Sequence, residues 1–289
     1  MTIQWYPGHM TRARREIAES MQACDVVIEV LDARMPASSE NPVVTELRKH
    51  KPCLKVLTKA DLADPDITAA WVRHLEAAAA GSKVRAVAIA AKDGSSTRAE
   101  IPAICARLGA RQSTRPRTLR AMVVGVPNVG KSTLINALMG RKVTVVGDEP
   151  AVTKAQQKVV LKSGMVLSDT PGILWPKIDE EATAYRLAVG GAIPDTALDY
   201  ERVAAFAAAV FLERYPGLVI ARYKLDALPE SPEALLEKIG RRRGCLRSGG
   251  GVDMHKAADV LLHEFRAGTL GRISLEAPPA AGAARAPSP

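Results

Sequence analysis

The chain is poor in the features that staple or anchor a protein. Its four cysteines, Cys24, Cys53, Cys105 and Cys245, lie far apart, with no C-x-x-C pair and no His at ligand spacing, which excludes a disulfide framework and a zinc site. They read as reduced thiols. Long apolar runs are also missing: the most apolar stretch, residues 204–212, is about half of the roughly 20 residues a membrane span needs. The N-terminal MTIQWYPGHM has no signal-peptide h-region, so a cytoplasmic protein with no membrane partner is expected. Acidic charge is the minority sign, with 31 Asp plus Glu against 40 Lys plus Arg and a net charge of +9. That excess fits either a polyanionic partner or a solvated basic surface.

What is present is the composition of a globular protein, 47% apolar over 289 residues, long enough for two domains that each bury a core. Short β-branched runs at 26–31, 53–57, 84–89, 121–124, 158–161 and 165–167 alternate with helical patterns at 12–22, 43–49, 67–79, 98–108 and 131–139. Such alternation predicts an α/β domain with a mostly parallel sheet flanked by helices, over 1–175. After Pro176 strand runs fade and Ala-rich helical patterns follow at 200–213, 232–239 and 254–267, predicting a smaller all-helical C-terminal domain over 176–275. Residues 241–251 read as a basic, flexible loop and 276–289 as a disordered Ala/Pro-rich tail.

Gly125-Val126-Pro127-Asn128-Val129-Gly130-Lys131-Ser132 matches G-x-x-x-x-G-K-[ST] between a strand pattern and a helical one. Backbone N–H groups of such a loop, at Gly125, Asn128, Val129, Gly130 and Thr133, surround phosphate, with Pro127, which has no N–H, shaping the turn between them. Lys131 bridges the β and γ oxygens and Ser132 holds Mg²⁺. About 40 residues on, Asp169-Thr170-Pro171-Gly172 fits D-x-x-G, with Asp169 reaching Mg²⁺ through water and the Gly172 N–H reaching the γ-phosphate. Thr153 lies between them, either the switch threonine that completes the Mg²⁺ shell or a solvated loop threonine.

Thr58-Lys59-Ala60-Asp61 follows a strand pattern and supplies the carboxylate that accepts guanine's N1–H and N2–H₂, a donor pair adenine lacks. A P-loop ATPase is disfavoured on that ground. Thr58 stands where most GTPases have Asn, so an amide that braces the phosphate loop is lost and nucleotide affinity is expected to suffer. Ala90-Ala91-Lys92 is similar to the S-A-K loop that contacts the guanine oxygen through backbone N–H. These base-reading elements precede the phosphate loop, whereas an ordinary small GTPase places them after D-x-x-G, so the domain is circularly permuted. A ligand needs spatial neighbours, not chain order.

Together with Gln4-Trp5-Tyr6-Pro7-Gly8-His9-Met10 and Asp32-Ala33-Arg34-Met35-Pro36, these motifs resemble the YlqF/RbgA-type circularly permuted GTPases, the ribosome biogenesis GTPase A family, over residues 3 to 275. The resemblance implies GTP and GDP as ligands, Mg²⁺, hydrolysis stimulated by the ribosome, and a role in maturing the large ribosomal subunit with its rRNA; DNA is not an expected partner. A nucleotide-dependent rRNA-binding module with negligible hydrolysis is the alternative. Ile173 occupies the place of the water-orienting glutamine and offers no hydrogen bond. The family points instead to His9, whose other reading is an ordinary exposed histidine. Asn128 marks a K⁺ site as in potassium-stimulated GTPases. Arg12, Arg14 and Arg15, and the cluster Arg241, Arg242, Arg243, Arg247, Lys256 and Arg266, are expected to touch RNA or to solvate a helix face.

Overall fold

The computed structural model describes residues 8–90, 94–110, 118–141, 157–170, 172–175, 178, 180–197 and 199–279, the side chains of 8–14 and 157 excepted. Strands β1 (Val26–Asp32), β2 (Cys53–Thr58), β3 (Val84–Ala88), β4 (Arg120–Val124), β5 (Gln157–Val160) and β6 (Val166–Asp169) form a sheet of order β3-β2-β1-β4-β6-β5. The pairs along β3, β2, β1, β4 and β6 are parallel and only β5 joins antiparallel. Every residue of β1 and β2 is buried, as in a parallel sheet covered on two faces, including Glu29 and Lys55, which interrupt the otherwise apolar runs and lie opposite each other in the register.

Helices α1 (Gly8–Ala23), α2 (Pro36–Ser39), α3 (Pro42–Arg48), α4 (Pro65–Ala78), α5 (Gly94–Gly109) and α6 (Lys131–Met139) alternate with the strands. Local chemistry starts several of them. Asn41 caps α3 by accepting from Val43 N–H, and Asp64 caps α4 by accepting from Asp66 and Ile67, each with Pro in the first turn. One face of the sheet packs against α1 and α3 through Ile17, Met21, Val27, Val44, Met122 and Ile173. The other carries Ile28, Val30 and Val123, in an apolar cluster that also takes in Leu134 of α6 and Leu187, Phe211, Leu261 and Phe265 of the helical region.

That region holds α7 (Glu181–Val189), α8 (Tyr200–Arg214), α9 (Pro216–Tyr223), α10 (Pro232–Arg243) and α11 (Met254–Arg266). The apolar run at 204–212 lies within α8 and gives Ala204, Ala207, Ala208 and Phe211 to its buried side, and among the described residues no single helix is long and apolar enough to cross a membrane. All four cysteines are free and buried; burial pushes the thiol of Cys24 up to about 11 and those of Cys53 and Cys105 up to about 12.

Two expectations need correcting. Residues 241–251 are not a flexible loop: α10 continues to Arg243, and the chain then forms a hairpin closed by a Leu246–Val252 bridge and by Asp253 N–H on Cys245 O at 2.7 Å. The glycines serve a tight turn, with Arg247 N–H donating to Gly251 O at 2.8 Å. Glu276, the first residue of the expected tail, is buried and accepts from the Ser38 backbone N–H and hydroxyl at 2.9 and 2.6 Å. Residues 280–289 lie outside the described ones.

Candidate nucleotide site

The loops that follow β3, β2, β4 and β6 open at one edge of the sheet, the carboxyl ends of the parallel strands, where ligands of open α/β folds bind. The phosphate loop leaves β4 and runs into α6 through Gly130, whose φ of +105° favours glycine. Ser132 and Thr133 lie in the first turn of α6, and Asp169 ends β6, opposite Val123 in the sheet register. Gly172 is set tightly against the loop: a Cβ there would come within 2.7 Å of Pro127 Cα and 2.9 Å of Lys131 Nζ.

Two buried charges face this end of the site. Lys131 is 6% exposed and donates to Gly125 O and Val126 O at 3.2 and 2.9 Å. Burial pushes its ammonium down to about 8, with Asp169 pulling partly back. Burial likewise raises the Asp169 carboxyl against the pull of Lys131, and neither carboxylate oxygen has a hydrogen-bond partner among the described residues. A buried carboxylate without donors at the carboxyl end of a strand has the chemistry to face a hard, oxygen-seeking cation.

The base-reading side is tied down instead. The Thr58 hydroxyl has one proton to give and sits between Leu31 O at 3.0 Å and Val129 O, which is closer. The expected loss of bracing is therefore corrected: β2 is separated from β4 by β1 alone, and the hydroxyl at the end of β2 reaches across to the phosphate loop. Lys59, with a left-handed φ of +58°, donates to Asn128 O and to the Asp32 carboxylate, each at 2.8 Å. Ala60 N–H donates to Ile89 O at 3.1 Å, drawing the Asp61 turn to the strand end that precedes Ala90. Asp61 itself is half-buried.

Sequence reasoning missed what stands behind Lys59. Arg34 grips Asp32 with Nε on Oδ1 at 2.9 Å and Nη2 on Oδ2 at 2.8 Å, both residues being at most 1% exposed. Burial alone would raise the Asp32 carboxyl, but Arg34 and Lys59 hold it well below the usual carboxylate range. The third guanidinium nitrogen donates to Phe265 O at 3.2 Å, and the group lies 4.5 Å from the Phe265 ring centroid. The Asp-Ala-Arg triplet was the available signal, but its partner is 231 residues away in sequence.

Asn128 turns its amide nitrogen to Gly191 O at 2.8 Å, a contact with the helical region. Ile173 is buried, and its carbonyl accepts from the Asn41 amide at 2.8 Å. The backbone of His9 lies in the first turn of α1, while its side chain, and Thr153, Ala91 and Lys92 altogether, fall outside the described residues. The basic cluster is only partly brought together. Arg241 and Arg243 pair with Glu237 and Glu264 at 2.8 and 2.6 Å, Arg242 donates to Lys224 O, and Arg247 and Lys256 flank Asp253. Arg266 departs from it, donating to Ala188 O and Val189 O and pairing with Asp195 at 2.8 Å.

Comparison with known proteins agrees with this geometry. Residues 120–200 match the family described as 50S ribosome-binding GTPase. The chain is 43% identical to ribosome biogenesis GTPase A of Bacillus cereus over 285 residues, covering 96% of this chain and 95% of that one. The crystal structure of GNP-bound YlqF from Thermotoga maritima superposes with a TM-score of 0.64 at 28% identity, covering 93% of this chain and 99% of that one. A GDP-bound YlqF structure gives the same TM-score at 27% identity over 91% of this chain and 99% of its own.

Proposed function

The chain belongs to the ribosome biogenesis GTPase A family, and from that premise we propose that it assists late assembly of the large ribosomal subunit, with bound GTP or GDP controlling its hold on the particle. The observation that carries the reading is the joining of base-reading and phosphate-reading loops, by Thr58 on Val129 O and Lys59 on Asn128 O, at the carboxyl edge of the sheet. Lys131 meets the β and γ oxygens, the phosphate-loop backbone surrounds them, and Asp61 accepts from the guanine edge. Ser132 and Thr153 directly, and Asp169 through water, are the residues that would hold Mg²⁺, which supplies charge neutralisation at the triphosphate; the donor-free carboxylate of Asp169 supports this. Asn128 is the K⁺ ligand in the same reading.

His9 orients the attacking water. Supporting this, α1 is anchored by Ile17 and Met21 in the cluster that buries Ile173, next to Gly172, so the helix that carries His9 and the γ-phosphate loop share one packing surface. Arg241, Arg242, Arg247 and Lys256 contact rRNA phosphates in the cytoplasm. Single-turnover GTP hydrolysis with and without large-subunit particles tests the reading, alongside co-sedimentation with those particles in a GTP analogue and in GDP. Stimulated hydrolysis and nucleotide-dependent co-sedimentation are expected. Nucleotide-dependent binding without stimulated hydrolysis would leave the RNA-binding module as the function, and binding indifferent to nucleotide would overturn both.

A further inference from the structure

After α11 the chain does not leave the molecule. It returns to the sheet and lies along the turn that carries Asp61. Arg272 donates through Nη2 to Ala60 O at 3.0 Å and through Nε to Ala63 O at 2.9 Å. Ile273 N–H donates to Leu62 O at 3.0 Å, and Asp64 N–H donates to the Ser274 hydroxyl at 3.2 Å. The backbone carbonyls on both sides of Asp61 are thus held by a segment more than 200 residues away in sequence. The Ile273 and Ser274 side chains of this strap are buried, whereas Arg272 is exposed.

We propose that Arg272 is a positioning residue for guanine recognition: it fixes the Asp61 turn by its two carbonyls, so that the terminal strap, and not the GTPase motifs alone, sets discrimination for the 2-amino group of the base. The inference rests on the reading of Asp61 as the base acceptor. Two parallel hydrogen bonds to one carboxylate tolerate little misplacement, since hydrogen bonds weaken steeply with angle. Among the residues of the Asp61 turn, the backbone of Ala60 has a further tie, its N–H on Ile89 O. The carbonyls of Ala60 and Ala63 accept from Arg272, so removing that guanidinium loosens the turn at those two carbonyls, while the buried strap stays packed and keeps Ile273 N–H on Leu62 O.

The experiment uses the full chain and compares GDP with IDP, which lacks the 2-amino group, by competition against a fluorescent guanine nucleotide. R272M keeps the length of the side chain and removes both donors. GDP affinity is expected to fall about fivefold to thirtyfold, as for the loss of one or two hydrogen bonds. IDP should lose less, so the GDP-to-IDP ratio contracts. R272K, with one ammonium, should restore part of the ratio, and the thermal midpoint should move little because the side chain is exposed. An equal loss for GDP and IDP, or an unchanged ratio, would overturn the proposal. D61N run in parallel separates the premise: it should swing preference towards xanthine nucleotides, whose carbonyl can accept from the new amide. If D61N keeps its guanine preference, the premise fails and the proposal falls with it; if D61N swings and R272M keeps its ratio, the proposal alone fails.

Discussion

The two ends of the nucleotide site are built on opposite principles. On the base side each polar group beside Asp61 is answered by protein: Thr58 by Val129 O, Lys59 by Asp32 and Asn128 O, Asp32 by Arg34, the Asp61 turn by Arg272. On the phosphate side Lys131 is buried with only carbonyls to hold, and Asp169 is buried with no donor among the described residues. A prepaired site selects by geometry and changes little on binding. A site with unneutralised buried charge draws its free energy from the charge the ligand brings. In the proposed reading, base choice is thereby separated from the step that responds to the γ-phosphate.

The strongest way to break this contrast is K131A. It removes the buried ammonium that has no carboxylate in direct contact, and triphosphate binding should fall by more than about 100-fold, read by calorimetry. Retained affinity would mean that the phosphate side does not depend on ligand charge. Next is H9A, for which particle-stimulated turnover should fall about 100-fold with GTP affinity nearly unchanged, because the group acts only on the attacking water. Loss of GTP binding in that variant would make the N-terminal helix part of the binding wall instead.

A pH series sharpens the comparison further. With Lys131 at about 8 in the free protein and raised by a bound polyphosphate, the complex holds more protons than the free protein above that pH. Affinity should be level below about 8 and then fall by up to about tenfold per pH unit, with proton uptake at pH 8.5 visible as a buffer-dependent binding enthalpy. Affinity that is flat to pH 9.5 would place the lysine's titration elsewhere. The smallest effect belongs to the paired side: T58V deletes one hydroxyl from a network that keeps its other ties, so GDP affinity should drop only about fivefold. A loss as large as that of K131A would show that both ends depend equally on single groups.

The motifs were legible because phosphate and guanine are read by short, local patterns. A G-x-x-x-x-G-K-S run needs only its own strand and helix to form, and the largely apolar runs of β1 and β2 announce a sheet covered on both faces. Legibility failed where a residue's meaning depends on a distant partner. Thr58 read as a weakened Asn, although in the sheet order it is a brace. Arg266 read as one of a basic cluster, whereas two backbone carbonyls and Asp195 draw it inward. The glycine-rich 241–251 read as flexible, because composition cannot show which N–H will meet which carbonyl.

By itself, then, the sequence determined the α/β class and the permuted order of the motifs, and it singled out Lys131, Asp61 and Asp169 as candidates, since each follows from residue type at fixed local spacing. Only the tertiary structure decided what holds those groups in place. The grip of Arg34 on Asp32 and Phe265, the turn of Asn128 to Gly191, and the hold of Arg272 on Ala60 and Ala63 all join the GTPase motifs to the helical region. Most of their acceptors are backbone carbonyls, which carry no signature along the chain, and their donors are single Arg or Asn side chains. They become specific only when packing removes water and leaves each group one partner within reach.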